Sequence, residues 1–191
     1  MTEKPESSSL EKPRRQSFYF GLTLQEALFL GFCATFIVIT RVVLRLHLKI
    51  PGHAMLFTMF FLILGRACVP KKGAGTVIGL VAGCMSMLIG MGKGGPLGIL
   101  KFLLPGIVVD LGAKLFPVLG TSYVATILVG IVASATRIVS QMVVEWIIGM
   151  EHALIIQHAV ISSTAGMVFG GVGAALVPPI AKRLRLHGLI R

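Results

Sequence analysis

Arg137, Gln141 and Glu145 stand four residues apart inside an otherwise apolar stretch. On an α-helix that spacing puts all three on one stripe, which Ser134 and Gly130 continue. A guanidinium only donates hydrogen bonds, a carboxylate only accepts them and an amide does both. Such a stripe can hold a polar solute inside a membrane, where ionisable groups are costly and face protein or a water-filled cavity. The simpler alternative is an internal ion pair of Arg137 with Asp110 or Glu145.

A second group lies in "MGKGGPLGILKFLLPGIVVDLG", Met91 to Gly112. Lys101 and Asp110 are about half a turn out of phase on a straight helix, and Pro105-Gly106 between them can bend it. Upstream, Gly90, Gly92, Gly94, Gly95 and Pro96 interrupt the chain around Lys93. Freed amides and a new helix start at Pro96–Leu97 make an electropositive spot suited to a carboxylate or phosphate, and Lys101 adds a full charge one turn deeper. A tight turn with a snorkelling lysine is the alternative. The G-x-x-x-x-G-K-[ST] spacing of a nucleotide loop is absent.

Other chemistry fits less well. An intramembrane aspartyl protease needs a pair of aspartates, and Asp110 has no second. Ser162 or Ser163 with His158 lacks a G-x-S-x-G elbow, and no H-E-x-x-H occurs, so no enzyme is expected. His53, His152 and His158 fall toward one side of the membrane but form no local ligand motif, so neither a metal nor any cofactor is assigned. Cys33, Cys68 and Cys84 sit in apolar runs and read as small packing residues.

The elements that must position these groups are membrane helices. Of 191 residues 55% are hydrophobic and only 13% charged, too few charges to cover a soluble surface. The apolar residues come in blocks, such as Gly73–Gly92, Gly120–Thr136 and Ala153–Ala181, long enough to cross roughly 30 Å of hydrocarbon. The pattern predicts an all-α integral membrane bundle of about six spans, near 22–40, 54–69, 73–92, 96–115, 120–144 and 153–181, the last ending near Pro178-Pro179. Residues 1–20 form a polar, disordered tail without the apolar core of a signal peptide, 21–182 the membrane domain, and 183–191 a basic tail.

The net charge of +11 sits at the ends of apolar runs, which argues for membrane orientation and against nucleic acid. Placing both termini in the cytoplasm puts most basic residues inside, the arrangement expected of a bacterial inner-membrane protein. The exception is the first outer loop, Arg41 to His53, with Arg41, Arg45 and Lys49. With Lys93, Lys101 and Arg137 these charges would draw in an anion. Trp146, Tyr123, Phe57 and Phe102 are the stacking candidates. Small residues recur at four-residue spacing at Ala27–Gly31–Thr35, Gly75–Gly79–Gly83, Thr126–Gly130–Ser134 and Gly166–Gly170–Ala174, faces along which helices approach closely.

The Ala27-x-x-x-Gly31 face, "KIPGHAML" at Lys49–Leu56 and "GKGGPLGILKFLLPGIVVD" at Gly92–Asp110 resemble the substrate-binding (S) components of energy-coupling factor transporters. That family docks its partner through Ala-x-x-x-Ala; here Gly31 fills the second position and meets the same steric need. The resemblance implies capture of a vitamin or similar micronutrient at the outer side. It also implies a membrane coupling subunit and cytoplasmic ATPases as partners. Nickel and cobalt members carry a Met-x-His-type amino terminus, whereas this chain begins Met1-Thr2-Glu3. The expected solute contacts are Lys93, Lys101, Arg137, Gln141 and His53, with Asp110 and Glu145 holding the cations and Ala27 and Gly31 docking the partner. A self-sufficient homo-oligomeric transporter or channel, and an accessory subunit without a ligand, are the competing readings.

Overall fold

The computed structural model describes residues 23–47, 52–90, 95–116, 119–147, 149 and 152–186. Among these every regular element is a helix. The elements are α1 (Leu24–His47), α2 (Ala54–Cys68), α3 (Ala74–Leu88), a short 3-10 helix (Gly95–Ile99), α4 (Leu100–Leu115), α5 (Tyr123–Ile147), α6 (His152–Ala175) and α7 (Val177–Leu186). Residues 1–22, Lys49 and residues 187–191 lie outside the described residues, while 183–186, expected within the basic tail, belong to α7.

Helix α1 begins with a reciprocal cap: the Thr23 amide donates to Glu26 Oε2 (2.7 Å) and the Glu26 amide to Thr23 Oγ1 (3.4 Å). The helix runs past Thr40, where the first span was expected to end, through Arg41 to His47. Nothing in "RVVLRLH" breaks a helix, and long arginine stems keep their heads at the membrane boundary without ending it. Arg41 is therefore a helix residue, not part of a loop, and its guanidinium lies 4.5 Å from the centre of the Phe102 ring on α4. That cation–π contact gives a basic residue at this end a local reason.

Helix α2 is the centre of the bundle and packs against each of the other α-helices. Met55, Met59, Leu62 and Ile63 are wholly buried along it. At 15 residues it reaches only about 22 Å, short of a full crossing. A helix sheathed by others does not have to meet both membrane faces itself. The neighbouring pairs are antiparallel and close. A Cβ on Gly79 of α3 would lie 2.5 Å from the Phe102 carbonyl of α4, and one on Gly106 of α4 2.6 Å from the Gly75 carbonyl of α3. Helices α5 and α6 meet where Gly130 faces Ala174 and Gly170 faces Ser134. Only glycine permits such approach, which substitutes contact for the missing hydrophobic drive inside a membrane.

The last apolar run divides at Leu176. Pro178 and Pro179 cannot donate to the α6 ladder, but they suit the first turn of α7, whose amides lack helical acceptors anyway. Val177 and Ala181 of α7 are buried against the bundle.

Outward faces are apolar. Leu28, Phe32, Val124, Val132, Val139 and Val168 are all largely exposed, a surface that water does not tolerate over such an area. Among the described residues three helices are long and apolar enough to cross a membrane, at Leu24–Leu44, Tyr123–Val144 and Ala159–Leu184, while α2 and α3 are shorter apolar helices.

Candidate functional site

Alternation of helix direction gives the bundle two ends. The starts of α1, α3 and α5 and the ends of α2 and α4 share the proximal end; Arg41, His53, Lys101 and Arg137 belong to the distal one.

At the proximal end Asp110 of α4 is buried against the start of α3. Its Oδ1 accepts from the Gly75 amide (3.1 Å), and its Oδ2 accepts from the Thr76 amide (2.7 Å) and the Thr76 hydroxyl (2.7 Å). Arg66 of α2 brings Nε to 3.0 Å from Oδ1, an ion pair rather than an aligned hydrogen bond. The sequence explains the site: Gly73, Ala74 and Gly75 offer no side-chain cap, so the first amides of α3 take their acceptor from another helix. A carboxylate there also meets the positive end of the α3 dipole. Gly75 must be small, because a Cβ would stand 3.3 Å from the carboxylate carbon and 3.0 Å from the Gly106 carbonyl. The expectation that Asp110 steadies Lys101 or Arg137 is thus corrected. Its cation is Arg66, and Lys101 lies at the other end of α4. Close by, Lys71 and Glu26 pair at 2.6 Å, tying the α2–α3 connection to α1.

At the distal end the Arg137–Gln141 stripe faces α6. A Cβ on Gly166 would lie 3.9 Å from an Arg137 terminal nitrogen and 3.6 Å from Met55 of α2. Gln141 is 5% exposed and donates through Nε2 to Ser162 Oγ (3.3 Å). One turn along, Ser134 bonds back to the Gly130 carbonyl (2.7 Å). Four polar atoms of this seam are buried without a hydrogen-bond partner: Arg137 Nε and Nη1, Gln141 Oε1 and Ser163 Oγ. No carboxylate among the described residues reaches Arg137, and the alternative partner Asp110 is committed to Arg66. The Glu145 backbone continues the stripe on α5, and its side chain lies outside the description.

Of the other expected contacts, Lys101 is the second residue of α4 and half-buried. His53 precedes α2, where Gly52 with φ +95° lies so close to α6 that a Cβ would meet Ala165 at 2.8 Å. Lys93 and its flanking glycines 92 and 94 lie outside the described residues. Gly31 on α1 has open space where a Cβ would stand, so among the described residues nothing fills the Ala27–Gly31 face there. Among the described residues no three His, Cys, Asp or Glu side chains come together as metal ligands.

Sequence reasoning passed over Arg66 and Thr76 as partners of Asp110. It weighed Ser162 and Ser163 only as nucleophiles. The uncapped "GAG" start of α3 was the one available signal for the first pair; adjacent serines in an apolar run were the signal for the second.

No protein-family model matches the chain, and no curated protein and no solved structure is similar to it.

Proposed function

We propose that this chain is a membrane-embedded binding subunit for a small anionic solute. In this reading it forms a six-span bundle with both termini in the cytoplasm of a bacterial inner membrane. The distal end faces outward, and uptake is driven by a coupling subunit and ATPases, as in the S components it resembles. The observation that carries the reading is Arg137. A guanidinium with two buried nitrogens lacking acceptors is costly, by about 3 kcal/mol or more, and an anionic ligand is the species that removes the cost. Gln141 lines the same seam. Lys101 and His53 stand at this end as secondary contacts, and Lys93 keeps the role expected of it from sequence. Asp110 leaves the site for a structural role.

The open Gly31 face supports a docking role for α1, with Ala27 beside it. Substitution Gly31→Leu is then expected to impair assembly with the coupling subunit while leaving solute capture intact.

The test is mass spectrometry of small molecules retained by the purified chain, run beside Arg137→Met. An anionic compound held by the wild type and absent from the variant supports the reading. A chain that retains nothing and purifies within another stable membrane complex supports the accessory-subunit reading instead.

A further inference from the structure

Resting on that reading, we propose that the solute is a small carboxylate that also carries a hydroxyl or N–H donor about one helical turn from its anionic end. The unpartnered atoms of the α5–α6 seam have different polarities. Arg137 Nε and Nη1 can only donate; Gln141 Oε1 can only accept; Ser163 Oγ, on a residue 1% exposed, can do either. Arg137 and Gln141 are one turn apart on the same helix, within reach of each other, yet they do not bond. The Gln141 amide is instead fixed by its other end, Nε2, on Ser162. That anchoring leaves Oε1 presented as a fixed acceptor, at roughly 5–6 Å from the level of Arg137.

A solute that is only an anion would satisfy Arg137 and leave Oε1 buried and unmet. A solute that only donates would leave the guanidinium unmet. One molecule with both groups at this separation satisfies the two together. Gly166 keeps α6 free of a side chain beside the guanidinium: a methyl there would make only ordinary contacts with Arg137 and Met55. A buried acceptor left without a donor discriminates strongly, which makes Oε1 the selecting group and Arg137 the capturing one.

The experiment measures thermal shift and binding of the full chain in nanodiscs with three matched probes: gamma-hydroxybutyrate, butyrate and gamma-hydroxybutyramide. The expected result is tightest binding of the hydroxy acid, by about tenfold or more over butyrate. In Gln141→Leu that preference disappears while both acids still bind; in Arg137→Met both acids are lost. Equal binding of the two acids by the wild type, abolished in Arg137→Met, overturns the two-point inference and leaves the anion-binding function standing. Tightest binding of the amide overturns the function itself. So does the absence of any shift at tens of millimolar together with no retained small molecule.

Discussion

Asp110 near the proximal end and Arg137 toward the distal end are both ionisable groups on helix–helix seams of an apolar bundle. Asp110 receives three hydrogen bonds and an ion pair from α2 and α3; Arg137 keeps two buried nitrogens without acceptors. Burial of charge is unfavourable in both places. The first is compensated within the chain, so removing a partner there leaves an orphan. The second is uncompensated among the described residues, so removing the charge should relieve the protein and, on the proposed reading, deprive only a ligand. On the proposed reading the contrast separates a structural charge from a ligand-binding one without appeal to relatives, and it predicts stability effects of opposite sign.

The largest effect is expected at Asp110. Asp110→Ala leaves Arg66 buried without its anion and the first amides of α3 without acceptors, a loss of about 3–5 kcal/mol. Thermal unfolding in detergent would read it as a large drop. A variant as stable as wild type would mean that water or lipid headgroups reach this cluster, and the comparison would fail at its structural side.

Arg137→Met is the counterpart. With no partner to orphan, the solute-free protein should keep its stability or gain ~1–4 kcal/mol, while solute capture is lost. A destabilised Arg137→Met would reveal an acceptor within the chain and move Arg137 into the same class as Asp110.

Glycines sharpen the same contrast at smaller scale. Gly79→Ala forces a methyl to 2.5 Å from the Phe102 carbonyl, backbone that cannot rotate aside, and should cost about 1–3 kcal/mol. Gly166→Ala meets nothing nearer than 3.6 Å and should change stability by less than about 0.5 kcal/mol. It nevertheless narrows the space beside Arg137, so capture should weaken. Melting temperature and solute affinity, measured on both variants, should move separately.

How much of this was legible in the sequence follows from distance along the chain. The stripe Gly130–Ser134–Arg137–Gln141 is a local property of helical period, and it faces one partner helix as the spacing implied. The small-residue faces at 75–79–83 and 170–174 likewise became close seams. The Asp110–Arg66 pair could not be read that way: it joins residues 44 positions apart and depends on α2 occupying the middle of the bundle, which no periodicity encodes. Arg66 beside a helix end looks the same from sequence whether it snorkels or pairs. Arg41 was misplaced for a related reason, since a charge ends an apolar run without ending a helix.

The smallest expected effect tests whether the proximal end acts as one unit. Glu26 serves both the α1 cap and the Lys71 pair, and the two side chains are 28% and 33% exposed. Glu26→Gln keeps an oxygen for the Thr23 amide and removes only the charge, so it isolates the ion pair. At that exposure the pair should contribute about 0.2–1 kcal/mol, reduced further by added salt. A loss several times larger, insensitive to salt, would mean that Lys71 and Arg66 share one poorly screened field with Asp110. The compensated charge would then be a property of the whole proximal end, and the contrast with Arg137 would have to be drawn between ends rather than between residues.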